Sequence, residues 1–275
     1  MKKYLISYAS PEFYESQKRL NDSAVKFGID EFRAFNNNWL KKTEFYKNNK
    51  HILDLKRGSG YWLWKPFIIL NLINQIEEGD LLIYADSGIE VISDLSPLIK
   101  LCIQQNGILL FKVHGGHPNR KWTKRDCFAL MNCDSEDYWN SEQINASFQL
   151  YIKNDASIKF LQDYLYYCQQ INILTDIPNI TRLENHPEFV DHRHDQSVLS
   201  LLALKYKIET FRDPCQWGNH LKMKDFRTPN DWLSLPYSDS PCLNSPYPTV
   251  LNHHRERKIT LLGRIKNKIE KITKN

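Results

Sequence analysis

Residues 84–88 read Tyr-Ala-Asp-Ser-Gly and place one carboxylate, Asp86, directly after a short apolar run. A carboxylate at the carboxyl end of a buried strand lies where α/β sheets bind ligands. There it can accept hydrogen bonds from a ribose or help hold a divalent cation against a diphosphate. The plainer alternative is an Asp that only opens a turn. A second run, Gly58-Ser59-Gly60-Tyr61-Trp62-Leu63-Trp64-Lys65-Pro66, combines glycines that let backbone approach a ligand with ring faces for stacking. Lys65 adds charge for phosphate, while core packing competes for each tryptophan. A third, residues 191–197 (Asp-His-Arg-His-Asp-Gln-Ser), gathers more polar chemistry than a helix start requires, although Asp195 would also suit a first turn electrostatically. A fourth is Asn252-His253-His254-Arg255-Glu256-Arg257. Neutral His ligates divalent metals and the Arg fork binds diphosphate, against the alternative of a solvated charge cluster.

Three weaker signals complete the set. Lys124-Arg125-Asp126 offers donor contact or a surface turn. His114 and His117 have loose metal-like spacing beside two glycines, a pattern that also fits solvent-exposed loop histidines. Asn145-Ala146-Ser147 can line a pocket or begin a strand.

Residues 80–98, Asp-Leu-Leu-Ile-Tyr-Ala-Asp-Ser-Gly-Ile-Glu-Val-Ile-Ser-Asp-Leu-Ser-Pro-Leu, resemble the D-x-D region of GT-A glycosyltransferases. Asp86 matches the first acid of that motif. Gly88 stands where the second acid belongs and offers no side-chain ligand, and Glu90 would reach the site only if the strand end rearranged. Residues 58–66 resemble a G-x-G-Y-W-x-W-K-P element of bacterial polysaccharide-type transferases, and Asp195-Gln196-Ser197 resembles their D-Q-S element. The resemblance implies donor contact by Asp86, Ser87, Gly88, Trp62, Trp64, Lys65 and Arg193, to which the residue readings above add Lys124, Arg125 and Arg255. It implies Asp195 as general base or sugar-binding acid, with Gln196 bonding sugar hydroxyls. It further implies Mn²⁺ or Mg²⁺ held by Asp86 with His253 or His254, the histidines compensating for Gly88.

These residues need elements to position them. Strands are expected over 3–9, 29–35, 81–85, 107–113 and 143–152. Helices are expected over 11–27, 64–77, 155–170 and 195–206, with another starting at 94–97. Ser10 is the expected N-cap of the first helix, with Pro11 at its first position. Residues 36–60 read as a polar, basic loop, and 211–254 as irregular chain. The run 81–85 has no polar face, so it is expected to be buried on both sides of a parallel sheet. This strand–helix alternation predicts an α/β fold: a GT-A-like single domain over 1–257, with a mostly parallel central sheet flanked by helices.

Length and composition bound the rest. A chain of 275 residues with 41% hydrophobic and 25% charged residues buries a core without staples. Its six cysteines show no C-x-x-C pair, which argues against a zinc site or redox motif, and a disulfide framework is not expected in a domain of this size. Residues 258–275 carry six basic residues against the single acid Glu270, which accounts for the whole net charge of +5. The body is therefore neutral, and a nucleic-acid partner is not expected. Within the tail Leu262, Ile265, Ile269 and Ile272 share one helical face. A basic amphipathic helix of this kind reads as an anchor on an anionic membrane surface, or as a helix packing on a partner. The N-terminus reads as a strand rather than a signal peptide, and no run is long enough to span a bilayer. The expected place is cytoplasmic, peripheral on the inner face of the membrane.

The expected activity is transfer of a hexose from a nucleotide diphosphate sugar, a UDP-sugar above others, to a glycan or glycolipid acceptor in surface polysaccharide synthesis. The alternative is a catalytically inactive nucleotide-sugar or glycan-binding protein. A dinucleotide oxidoreductase is disfavoured, because no G-x-G-x-x-G follows the first strand.

Overall fold

The computed structural model describes residues 1–113, 117–218 and 244–254. Six strands form one sheet in the order β2-β1-β3-β6-β5-β7: β1 Lys3–Ala9, β2 Glu31–Asn36, β3 Leu81–Ala85, β5 Ile108–Lys112, β6 Phe148–Ile152 and β7 Thr210–Arg212. β1 is parallel to both β2 and β3, and β5 is parallel to β7. β6 is antiparallel to its neighbours β3 and β5, so it alone runs against the other five. β4, Ile89–Val91, pairs antiparallel with β8, Leu251–His253, in a separate two-stranded ladder.

Period-2 alternation sends side chains to two cores. Tyr4, Ile6 and Tyr8 of β1 and Leu82 and Tyr84 of β3 meet the helices Trp64–Ile73, Asp155–Cys168 and Asp195–Lys205 on one face. Leu5, Leu81, Ile83 and Ala85 meet the helices Tyr14–Val25 and Ser96–Gln104 on the other, together with the β4–β8 ladder. All five residues of β3 are buried, as expected of a strand with no polar face. Full burial of Leu81, Leu82 and Ile83 stabilises the fold by about 1.5–3 kcal/mol each, which fixes the strand that ends at Asp86.

The structure corrects several local expectations. The 36–60 stretch is not a loop but three short helical turns, Asn37–Leu40, Glu44–Asn48 and Lys50–Leu53. Asn36 accepts from the Trp39 amide and Thr43 from the Tyr46 amide, so side-chain caps start two of the turns. The first helix opens with a tight 3₁₀ turn at Pro11–Phe13, and Ser10 precedes it without a capping bond from its side chain. The expected 143–152 strand begins only at Phe148. Before it, the Asn145 side chain accepts from Ser147 and bends the chain. Arg255 and the tail 258–275 lie outside the described residues, as do His114 and residues 219–243.

Candidate active site

The chain leaves β1 to form β2 on one side and returns to form β3 on the other. The crevice between the carboxyl ends of β1 and β3 is therefore a topological switch point, the place where open α/β sheets bind ligands. A cleft of about 740 Å³ opens there. Tyr8, Ala9 and Ser10 line it from β1, and Asp86, Ser87 and Gly88 from β3. Antiparallel β6 brings its N-terminal approach to the same end, where the Asp86 amide donates to the Ser147 carbonyl at 2.8 Å. Asn145, Ala146 and Ser147 thus line the cleft, as the sequence allowed.

A buried ion cluster forms the floor. Lys65, only 3% exposed, sits 2.8 Å from Asp195 and 3.6 Å from Asp86. The Tyr84 hydroxyl donates to Asp86, and the Tyr164 hydroxyl donates to Asp195 at 3.3 Å. Burial by itself would lower the Lys65 pKa, but the Asp195 and Asp86 carboxylates outweigh it and hold the ammonium above 10.5. Burial raises the Asp195 carboxyl pKa against the pull of Lys65, with Asp86 adding repulsion. Burial likewise pushes Tyr84 well above 10, so the phenol keeps its proton and serves as donor. Asp86 is the accessible acid of the set, its side chain 39% exposed to the cleft.

One wall is a left-handed turn. Gly58, Ser59, Gly60, Tyr61 and Trp62 have φ of 55°, 53°, 95°, 52° and 59°. The αL conformation costs about 1–2 kcal/mol for each of the three residues that carry a Cβ. Local hydrogen bonds from Tyr61 N to Arg57 O (2.7 Å) and from Trp62 N to Gly58 O (3.3 Å) hold the turn. A Cβ on Gly58 would fall 2.4 Å from the Trp62 ring, and one on Gly60 would fall 2.6 Å from Leu53 Cα. Both glycines are therefore required by contact as well as by φ. The turn presents Trp62 to the cleft and delivers Trp64, which stacks on Tyr8 at 4.0 Å and donates its indole N–H to Gly58 O.

Against this turn packs the segment entering the Asp195–Lys205 helix. His192 accepts from the Lys124 amide at Nδ1 and donates from Nε2 to Ile173 O, so one tautomer is fixed. Burial and the neighbouring His194 drive its pKa well below 6.5. His194, at φ 55°, donates from Nδ1 to Leu174 O and lies between the Tyr61 and Trp62 rings. Burial lowers its pKa. Arg57 ties the two together through ion pairs to Asp176 and Asp191. Arg193 stacks over Trp122 at 4.3 Å. The Gln196 amide donates to Gln143 at 2.9 Å, which fixes its orientation at the cleft surface. Four buried polar atoms of lining residues, on Tyr8, His117, Trp122 and His194, have no hydrogen-bond partner among the described residues. Buried polar groups rarely remain so, and His194 Nε2 lies 3.8 Å from Asp176.

Of the residues singled out in the sequence, Asp86, Ser87, Gly88, Trp62, Trp64, Lys65, Arg193, Asp195, Gln196 and His253 all line this one cleft. Lys124 and Arg125 do not. The Lys124 ammonium is buried against the carbonyls of Thr175 and Ile177, and Arg125 pairs with Asp134 and stacks over Trp139. Both brace the 176–191 segment from behind. His254 is also outside the lining: its amide donates to Gly88 O. Glu90 is engaged by Arg19 at 2.6 Å and takes no part in the site.

Sequence reasoning missed Asp213, which lines the cleft beside Asn145 and His253. It follows the three-residue strand β7, too short to show a period. Asp213, Cys215 and His253 bring one ligand atom each to within 4.8 Å of one another, the one such group among the described residues.

No family model and no curated protein sequence matches the chain. Among solved structures, the fold is similar to mouse xyloside xylosyltransferase 1 at 8% identity and a TM-score of 0.46, over 92% of this chain and 97% of that one. It is similar to the galactosyltransferase LgtC, solved with donor and acceptor sugar analogs, at 12% identity and a TM-score of 0.49, over 92% and 87%. The glycosyltransferase GlyE of Streptococcus pneumoniae follows at 11% identity and 0.40, over 93% and 55%. All three are glycosyltransferases by name. At these scores and identities the likeness decides neither family nor chemistry, and the functional reading rests on the cleft.

Proposed function

We propose that this chain is a GT-A-like glycosyltransferase that moves a sugar, a hexose in this reading, from a nucleotide diphosphate donor to a glycan or lipid-linked acceptor. The observation that carries the proposal is the buried Lys65 ammonium held against Asp195 and Asp86 at the floor of an aromatic-walled cleft, at the switch point of the sheet. Trp62, half-buried and stacked on His194, offers a ring face that suits a flat base or an apolar sugar face, with the buried Tyr8–Trp64 pair behind it.

Asp86 is placed to accept hydrogen bonds from donor hydroxyls, and Tyr84 and Lys65 keep it oriented. Asp195 and Gln196 form the far side of the floor, where the sugar and the incoming acceptor hydroxyl would be aligned; alignment is the larger part of such catalysis. Lys56, Arg57 and Arg193 supply positive charge along the cleft for a departing diphosphate. A divalent cation belongs to this reading, Mn²⁺ or Mg²⁺ by the resemblance, and when bound it would screen the charge of the diphosphate. His253 and Asp86 both line the cleft in which it would act.

A UDP-sugar is the donor we favour, and a surface polysaccharide or its lipid-linked precursor the product. The basic tail 258–275 would hold the enzyme against anionic lipid on the cytoplasmic face, where such acceptors reside. No helix among the described residues is long and apolar enough to cross a membrane.

The test is a thermal-shift panel of UDP, GDP, CMP and dTDP sugars with and without divalent metal, because a ligand of the native state raises the melting temperature. One sugar nucleotide class should shift the transition and be hydrolysed or transferred. If no nucleotide sugar binds or turns over, the proposal fails.

A further inference from the structure

Two side chains near the cleft, Asp213 and Cys215, are unused by the chemistry above, and both lie beside His253. β7 ends at Arg212, and the chain turns through Asp213-Pro214-Cys215 to meet β8, with Cys215 bridged in parallel to Leu251. His253 ends β8. This brings an Asp213 carboxylate oxygen, the Cys215 sulfur and a His253 ring nitrogen mutually within 4.8 Å. Asp213 and His253 line the cleft, and Cys215 is fully buried behind them. The group therefore has a closed back and an open front.

The surroundings hold these ligands in place. Asp213 accepts from the Asn145 amide at 2.6 Å on one oxygen and from the Cys215 backbone N–H at 3.1 Å on the other, which leaves lone pairs on both. Gln216 clamps the His253 backbone, donating to its carbonyl and accepting from its amide, both at 2.9 Å. The Trp217 amide donates to the Cys215 sulfur at 3.4 Å. Fixed orientation of this kind by surrounding hydrogen bonds is how proteins tune metal ligands.

We propose that Asp213, Cys215 and His253 form a divalent-metal site open to the cleft, selective for a borderline ion such as Zn²⁺ or Co²⁺ over Mg²⁺. Thiolate and imidazole prefer such ions, whereas Mg²⁺ demands oxygen ligands in a near-octahedral shell. Three protein ligands with a free fourth position is the arrangement of zinc sites that engage a substrate. On binding, the Cys215 thiol loses its proton to solvent and the metal–sulfur bond forms, with no change of oxidation state. This site would take over the duty that Gly88 cannot perform in residues 86–88, with a borderline ion in place of the Mn²⁺ or Mg²⁺ that the resemblance implies. That last point rests on the glycosyltransferase reading; the metal site itself does not.

The test uses metal alone and the full chain, without nucleotide. Titration with Co²⁺ should give visible bands of a tetrahedral ion and a near-ultraviolet sulfur-to-cobalt charge-transfer band. Cys215→Ser should lose the charge-transfer band, and His253→Gln should weaken binding. X-ray absorption of the Zn²⁺-loaded wild type provides a readout that needs no variant: one sulfur neighbour at about 2.3 Å and nitrogen or oxygen neighbours at about 2.0–2.2 Å. Absence of a sulfur neighbour in the wild type, or a charge-transfer band unchanged in Cys215→Ser, overturns the proposal. Metal binding as described without turnover of any nucleotide sugar would keep this site and sink the transferase reading instead.

Discussion

Replacing Lys65 by Met keeps the length and most of the volume of the side chain but removes the ammonium from the cleft floor. Asp195, 3% exposed, then loses its partner at 2.8 Å and retains the Tyr164 hydroxyl at 3.3 Å and the Gln196 amide. Breaking a buried pair from one side costs about 3–5 kcal/mol. At roughly 2–4 °C per kcal/mol for a domain of this size, the melting temperature should fall by about 6–20 °C at neutral pH. The pH dependence distinguishes this cause from lost packing. Without the ammonium the Asp195 pKa, already raised from 3.8 by burial, rises further. A carboxyl whose folded pKa is raised contributes stability that is whole below the unfolded value and is lost as pH rises through the folded one. The gap between wild type and Lys65→Met should therefore narrow as pH is lowered from 7 towards about 4. Urea denaturation at a series of pH values measures it, and Lys65→Met with Asp195→Asn should be far less destabilised than the sum of the two single changes. A gap that is independent of pH, or strict additivity, would refute the ion-pair account of the floor.

Gly60→Ala places a Cβ 2.6 Å from Leu53 Cα at φ +95°, and should cost about 2–4 kcal/mol from αL strain plus overlap, read by chemical denaturation. Asp86→Asn should weaken donor binding by about 10- to 100-fold, the value of a hydrogen bond to a charged group, with little change in melting temperature; calorimetric titration checks both. His192 is held neutral, with its pKa depressed well below 6.5 by burial and His194. Its contribution is present above pH 6.5 and fades as pH falls, so wild type should lose stability between pH 7 and 5 with a steeper slope than His192→Asn. Deletion of residues 258–275 should abolish co-sedimentation with anionic lipid vesicles, and undiminished binding would exclude the tail as an anchor.

Much of this arrangement was legible in the chain. An apolar run without a polar face marked β3, and its position alone placed Asp86 at the ligand end of the sheet. The Gly-Ser-Gly-Tyr-Trp run announced a special backbone, though not its hand: five consecutive residues have positive φ, and a Cβ on Gly58 or Gly60 would meet Trp62 or Leu53. Lys124 and Arg125 misled because a charged pair looks the same whether it faces a phosphate or two buried carbonyls. Asp213 and Cys215 were silent for another reason. Their strand has three residues, and what makes them neighbours of His253 is pairing across nearly forty positions.

The cleft is lined by residues from Tyr8 to His253, drawn from almost every part of the chain. Such non-local assembly pays its loop-closure entropy before any contact rewards it, so the lining described here is complete only when β8, the last strand among the described residues, has docked on β4. A fragment lacking β8 would lose His253 from the lining, and one lacking β1 would lose Tyr8 and Ala9 together with the strand that joins β2 to β3. Conversely, a bound molecule bridges the first strand and the last. It should slow hydrogen exchange throughout the sheet rather than around the cleft alone, making ligand occupancy a measure of whether the whole chain has folded.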